Sequence, residues 1–200
     1  MNHVENMTRN EEGYALVVAL MIMAILSLIG VFGINTSIIE QQIAGNEWNA
    51  KRTFYRADGG VSLGSELLEQ NIACATGFLK GPEIVNGIYA KNLSLYTNSM
   101  FASDFNPDPI DADALYPWDG SDSEPAFDVG YLYYGGQVRV LAGGALQMAA
   151  GYEGKGKSAA QGGTAREYDI YSQFIGPKQS ETIIVAGWRH LIGSEGACIY

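Results

Sequence analysis

Residues 14–34, YALVVALMIMAILSLIGVFGI, form an apolar run of 21 residues without one charge. At about 1.5 Å of rise per residue, a helix of that length covers roughly the 30 Å hydrocarbon core of a bilayer. A helix satisfies its own backbone in lipid, and Ser27, the one polar side chain in the run, can bond back to a carbonyl one turn earlier. A helix that packs on a soluble core usually carries a polar stripe, and this run carries none. The run reads as a membrane helix near the N-terminus.

The 200 residues, 47% of them hydrophobic, leave room for that helix and one globular domain able to bury a core. The net charge is −10 and the Lys and Arg residues are scattered, which argues against a nucleic-acid surface and against anionic lipid headgroups as partners. The 25 glycines and 12 tyrosines suit strands and tight turns. Cys74 and Cys198 are the two cysteines. In an exported domain they could be joined, or remain separate thiols; two cysteines without a histidine at ligand spacing make no zinc site.

The first thirteen residues, MNHVENMTRNEEG, are polar and end in Gly13 directly before the apolar run. A secretory signal places its cleavage site after the apolar region; here a cut after Gly13 would remove the leader and keep the helix, with Tyr14 as the new N-terminus. Farther on lies QQIAGNEWNAKRTFYRADGGV at 41–61. Together these stretches resemble the precursors of type IV pilins, and within them the PilX-like minor pilins. Ala44, Gly45 and Asn46 match that family's Ala-Gly-Asn signature, and Phe54, Ala57 and Asp58 its Ala-Phe-x-x-Ala-Glu-like segment. The resemblance covers about the first 65 residues.

The resemblance implies an α+β pilin-like fold, a long N-terminal helix packed on an antiparallel sheet. It implies prepilin peptidase, the inner-membrane assembly machinery and other minor and major pilins as partners, and often N-methylation of Tyr14. Two features depart from the family pattern. The mature chain would begin with Tyr14 rather than Phe or Met, and Val18 stands where pilins commonly place Glu. That Glu is thought to pair with the terminal amine of a neighbouring subunit, and a carboxylate in lipid is costly without such a partner. Its omission suits a first or tip position, where no subunit lies ahead. The leader is acidic where the family's is usually basic, so charge does not orient the helix.

Helical periodicity continues over 35–73, with Phe54, Ala57, Val61, Leu68 and Ile72 forming one stripe expected to face a sheet. Gly59, Gly60 and Gly64 weaken that helix. Gly30, Gly33 and Gly45 read either as places where it bends among other subunits or as points of close helix contact. The expected divisions are a leader at 1–13, a transmembrane and filament-core helix at 14–34, its amphipathic continuation at 35–73 and a β-rich domain at 74–200.

After Cys74, turn signals take over, among them Asn86-Gly87, and 88–100 is ambiguous between short strands and loop. Residues 104–124 hold seven acidic residues, three prolines and no base, the composition of a long surface loop. Asp104, Asn106, Asp108 and Asp111 resemble the start of a calcium loop, with Asp113 close by, but Pro109 and Leu115 occupy the positions that need Gly and Glu. A solvated acidic loop is the better account, and no cofactor other than that calcium is expected. Residues 131–141 read as a hairpin turned at Gly135-Gly136, 166–175 as an alternating strand and 181–192 as a strand rich in Ile, Val and Trp. The result is about four antiparallel strands with one apolar face, and a Gly-rich loop over 143–163.

GYEGKGKS at 151–158 fits the P-loop pattern, but Gly162-Gly163 breaks the helix it would need, so a nucleotide site is rejected. His3 lies in the leader and His190 stands alone in a strand. No serine or cysteine nucleophile has an identifiable base. The chain is therefore expected to be structural rather than enzymatic, a minor pilin that starts a filament or sits at its tip. Leu16, Val17, Val18, Leu20, Ile22, Ile25, Leu28 and Ile29 would exchange the lipid of the bacterial inner membrane for the pilus core, and the C-terminal domain would be periplasmic. The alternatives are a type II secretion pseudopilin and an adhesive, calcium-modulated tip module.

Overall fold

The computed structural model describes residues 5–74, 76–78, 83–85, 87–117, 128–141, 164–192 and 196–198. The chain divides into two units, Met1–Trp48 and Asn49–Tyr200, and helix α1 (Glu5–Ala73) contributes residues to both.

In the first unit, α1 runs unbroken through Gly30 and Gly33. Thr36 returns its hydroxyl to the Phe32 carbonyl at 3.1 Å, so this polar side chain needs no outside partner.

The second unit pairs residues 49–73 of α1 with six antiparallel strands in chain order: β1 (Glu83–Val85), β2 (Ile88–Ala90), β3 (Ala114–Tyr116), β4 (Val129–Val140), β5 (Thr164–Ile175) and β6 (Glu181–Leu191). Every neighbour in the sheet is a neighbour in sequence, an arrangement that needs no crossover. The expected α+β class is the observed one.

The buried face of the helix is Thr53, Ala57, Gly60, Gly64, Leu67, Leu68 and Asn71, spaced three and four apart. It meets Tyr116, Leu132, Tyr134, Ile170 and Phe174 of the sheet. Phe54, assigned to the stripe from sequence, is 48% exposed, and Val61 is only partly covered. Ala57 and Leu68 of the expected stripe are buried and Ile72 packs against the core, so it is Phe54 that was misassigned: a hydropathy pattern counts apolar residues, whereas Thr53, Gly60, Gly64 and Asn71 supply much of this seam. Small residues are what allow tyrosine hydroxyls to reach the helix backbone. Tyr134 donates to the Gly64 carbonyl at 3.1 Å and Tyr116 to the Arg56 carbonyl at 3.2 Å, with the Ser172 hydroxyl 2.8 Å away. Fully buried Asn71 spends both ends of its amide on the chain beyond the helix, donating to the Leu93 carbonyl and accepting from the Tyr96 N–H.

Residues 131–141 are not a hairpin. β4 runs straight through Gly135 and Gly136, paired along its whole length with β5. A Cβ on Gly135 would overlap the Phe101 ring, and one on Gly136 the Tyr168 ring. The two glycines therefore let one aromatic ring lie flat on each face of the sheet, which is a packing requirement and not a turn.

The sheet is also covered on both faces, not one. On the side away from the helix, Phe101 and Phe105 stack at 3.9 Å and meet Tyr133 and Tyr171 edge-on, over Leu115, Val129 and Tyr131. Part of the segment expected to be a solvated loop thus supplies core: Ala112, Ala114, Leu115 and Tyr116 are buried and β3 sits inside the sheet. Residues 118–124 of that segment lie outside the described residues, as do Asn86 and the whole Gly-rich stretch 143–163, including the P-loop-like 151–158.

A disulfide joins Cys74, buried just past the end of α1, to exposed Cys198. His190 does not stand alone. Its Nδ1 lies 3.2 Å from the Glu69 carboxylate and its ring stacks on Trp188, which ties β6 to the helix.

The buried tyrosines set the alkaline limit of this unit. Burial pushes the Tyr116 phenol up to about 12, and burial likewise raises Tyr133, Tyr134 and Tyr168. The folded chain keeps these protons while an unfolded tyrosine releases its own near about pH 10. Their contribution is thus complete below about pH 10 and is lost as pH rises above it. Tyr134→Phe is expected to cost about 1 kcal/mol at pH 7, through the lost bond to Gly64. It should also flatten the decline above pH 10 by about 1.4 kcal/mol per pH unit. Denaturant unfolding of the full chain in detergent micelles between pH 7 and 11.5 checks this; parallel curves for the two proteins would refute it.

Candidate assembly interface

The first unit offers one helix long and apolar enough to cross a membrane, with a mean hydropathy of 2.9 over its most apolar window and none of that window buried. Leu16, Val17, Leu20, Ile22, Ile25, Leu28 and Ile29 are each more than half exposed, and Val18 is partly covered. They point all round the helix, so no side is spared for water. The exposed apolar surface continues past residue 34 through Ile38, Ile39, Ile43 and Trp48. Ile39 and Ile43 are one turn apart, a signal present in the sequence and hidden by the polar residues between them. Nothing lies within 4 Å of a Cβ built on Gly30, Gly33 or Gly45, so a neighbouring helix could approach there without resistance. Such a surface can do one thing chemically, which is to associate with lipid or with other apolar helices.

Gly13 and Tyr14 are exposed and lie within α1, with Tyr14 72% accessible. The carboxylates considered for calcium do not converge. Asp108 caps a short turn, its Oδ1 accepting from the Ile110 N–H at 3.0 Å. Asp113 accepts from the side chains of Asn92 and Asn98 and from the Tyr134 N–H, holding the segments around them to β4. Among the described residues no three His, Cys, Asp or Glu side chains come together as a metal site. Sequence reasoning could not find the role of Asp113, since its partners come from three separate stretches of chain.

An α+β unit that shares one helix with a membrane-capable apolar segment is an arrangement consistent with the pilin fold. Residues 12–62 match the family model described as PilX N-terminal, and over that stretch the chain is similar to the type IV pilus minor pilins, which supports a PilX-like pilin. That family is structural, and its members associate with other pilins in a pilus. No curated protein and no solved structure matches the chain.

Proposed function

We propose that this chain is a minor pilin that takes part in starting type IV pilus assembly or occupies the pilus tip. The observation that carries the reading is the coincidence of the family match at 12–62 with a helix whose apolar residues are exposed on every side. In the bilayer those side chains face lipid, and in a filament they face other pilin helices, so assembly exchanges one apolar solvent for another. Val18, in place of a carboxylate, supports a first or tip position, because nothing ahead of the subunit then needs pairing. The Cys74–Cys198 bond supports an oxidising compartment, with the second unit in the periplasm.

On this reading prepilin peptidase cuts between Gly13 and Tyr14, and Tyr14 is then methylated at its amine. The bond lies within α1, so cutting requires that turn to unwind, which a glycine makes easier by about 1 kcal/mol relative to alanine. The mass of the N-terminal peptide from cells with and without that peptidase tests the reading. A methylated peptide starting at Tyr14, present only with the enzyme, is expected; an intact Met1 start in both strains would sink it.

A further inference from the structure

In the second unit, two of the described arginines are partly buried, Arg52 and Arg166. Arg52 is paired with Asp128, but Arg166 has no carboxylate partner among the described residues. A charge drawn partly out of water is normally compensated by an opposite one, and this chain, with a net charge of −10, has carboxylates to spare.

Arg166 is held in place all the same. Its Nη1 donates to the Tyr96 carbonyl and, at 3.0 Å, to the Tyr168 hydroxyl, and its guanidinium carbon lies 5.6 Å from the centre of the Tyr96 ring. Both Nη1 protons are thereby used. The Nε and Nη2 N–H groups make no hydrogen bond among the described residues, and together they form the side of the guanidinium that matches the two oxygens of a carboxylate.

Arg166 lines a cleft of about 190 Å³ between residues 96–99 and residues 136–138 of β4. The β4 backbone adds donors to it. Tyr134 gives its N–H to the Asp113 carboxylate and its carbonyl accepts from the Asn98 amide, so the even-numbered residues of β4 turn away from β5. β3 covers that edge only over 130–132, and the pairing with β5 keeps its phase to residue 140. The N–H groups of Gly136 and Val138 therefore face the cleft, and neither has a partner there among the described residues.

Charge and size select the occupant. The cleft offers a guanidinium edge and two backbone N–H groups, and no acidic side chain lines it. Its volume is below the roughly 300–1,000 Å³ of sites that hold drug-sized ligands, so the occupant is small. The Ser99 hydroxyl at its rim makes no hydrogen bond among the described residues, and Thr97, whose hydroxyl donates to the Ser94 carbonyl, keeps lone pairs to accept one. Both suit a ligand that carries hydroxyls. A larger cleft, of about 540 Å³, does not repeat this arrangement, because the two arginines that line it, Arg139 and Arg189, already share Glu167.

We infer that the smaller cleft binds the carboxylate of a small hydroxylated acid, with Arg166 as its counter-ion and the Gly136 and Val138 N–H groups as further donors. The inference rests on the second unit and holds whether or not the chain assembles as a pilin.

The test is a titration of the full chain, labelled with ¹⁵N in micelles of a non-ionic detergent, with sodium glucuronate against sodium chloride of equal ionic strength. Saturable shifts of the Gly136 and Val138 amide signals are expected with glucuronate alone, and this readout on the unaltered chain stands if a variant does not fold. Glucose, acetate and phosphate should each bind at least about tenfold more weakly, lacking in turn the charge, the hydroxyls and the planar pair of oxygens. Arg166→Gln should weaken glucuronate binding about tenfold or more, and Arg166→Lys should fall between, since it keeps the charge without the fork. Val138→Pro removes one outward N–H, leaves the bonds to β5 intact and should weaken binding several-fold, while Arg139→Gln should leave it unchanged. No saturable shift with glucuronate, equal binding of glucose, acetate or phosphate, or full affinity in a folded Arg166→Gln variant would each overturn the inference.

Discussion

Gly60→Ala is expected to destabilise the second unit by about 2–3 kcal/mol, while Gly59→Ala, one residue away on the same helix, stabilises it by up to about 1 kcal/mol. A Cβ on Gly60 would overlap the Tyr116 hydroxyl and the Ser172 Oγ, whereas one on Gly59 meets nothing within 4 Å. The substitution at Gly60 must therefore either push the helix off the sheet or break the buried Tyr116–Ser172 bond, at a cost of overpacking plus about 1 kcal/mol for the hydrogen bond. Better helix propensity offsets about 1 kcal/mol of this. Gly64→Ala should fall between the two, because its Cβ would sit 3.1 Å from a flexible Ile170 methyl. For a unit of this size each kcal/mol moves the melting temperature by roughly 2–4 °C, so Gly60→Ala should melt about 4–12 °C lower. In a Tyr116→Phe background the loss should shrink, as the overlapping oxygen is gone. Equal melting temperatures for the Gly59 and Gly60 variants would show that the helix does not seat on the sheet through this seam.

Reduction of the Cys74–Cys198 bond is expected to have the larger effect. The bond closes a separation of 124 residues, spanning every strand of the sheet. In the chain-entropy picture a loop of that order restricts the unfolded state by about 4–5 kcal/mol. The melting temperature should fall by roughly 10–20 °C on adding a phosphine reductant, and the Cys74→Ser, Cys198→Ser double variant should match the reduced protein without reductant. Cys198 is exposed, so reduction needs no prior unfolding. A shift under about 2 °C would mean that the unfolded chain is already compact enough for the bond to constrain little.

Legibility differed sharply between the two units. The membrane-length helix, the match over 12–62 and the α+β class were readable because each rests on a local property: the hydropathy of a run, short motifs, and a period of 3.6 giving way to one of 2. β5 and β6 were placed within about two residues on local properties too, β5 from its alternation and β6 from its Ile, Val and Trp content. Among the readings that failed, three concerned a residue whose meaning depends on something distant. Gly135-Gly136 resembled a turn because glycine is permissive, but only Phe101 and Tyr168, arriving from other stretches, explain why no Cβ fits there. Phe54 was assigned to the buried stripe on hydropathy, yet the seam required small residues under tyrosine hydroxyls. Asp113 sat in an acidic run that read as solvated, and its carboxylate instead holds Asn92, Asn98 and the backbone of β4 together.

The sequence by itself determined that the chain carries a membrane-length apolar helix and a mixed domain behind it, because hydropathy and backbone period are properties of neighbouring residues. Only the tertiary structure decided which face of that helix meets the sheet, that the sheet is covered on both sides, and that β6 is the last strand of the sheet among the described residues. Those outcomes turn on which side chains converge from far along the chain, and on whether a glycine is there to be bent or to be covered.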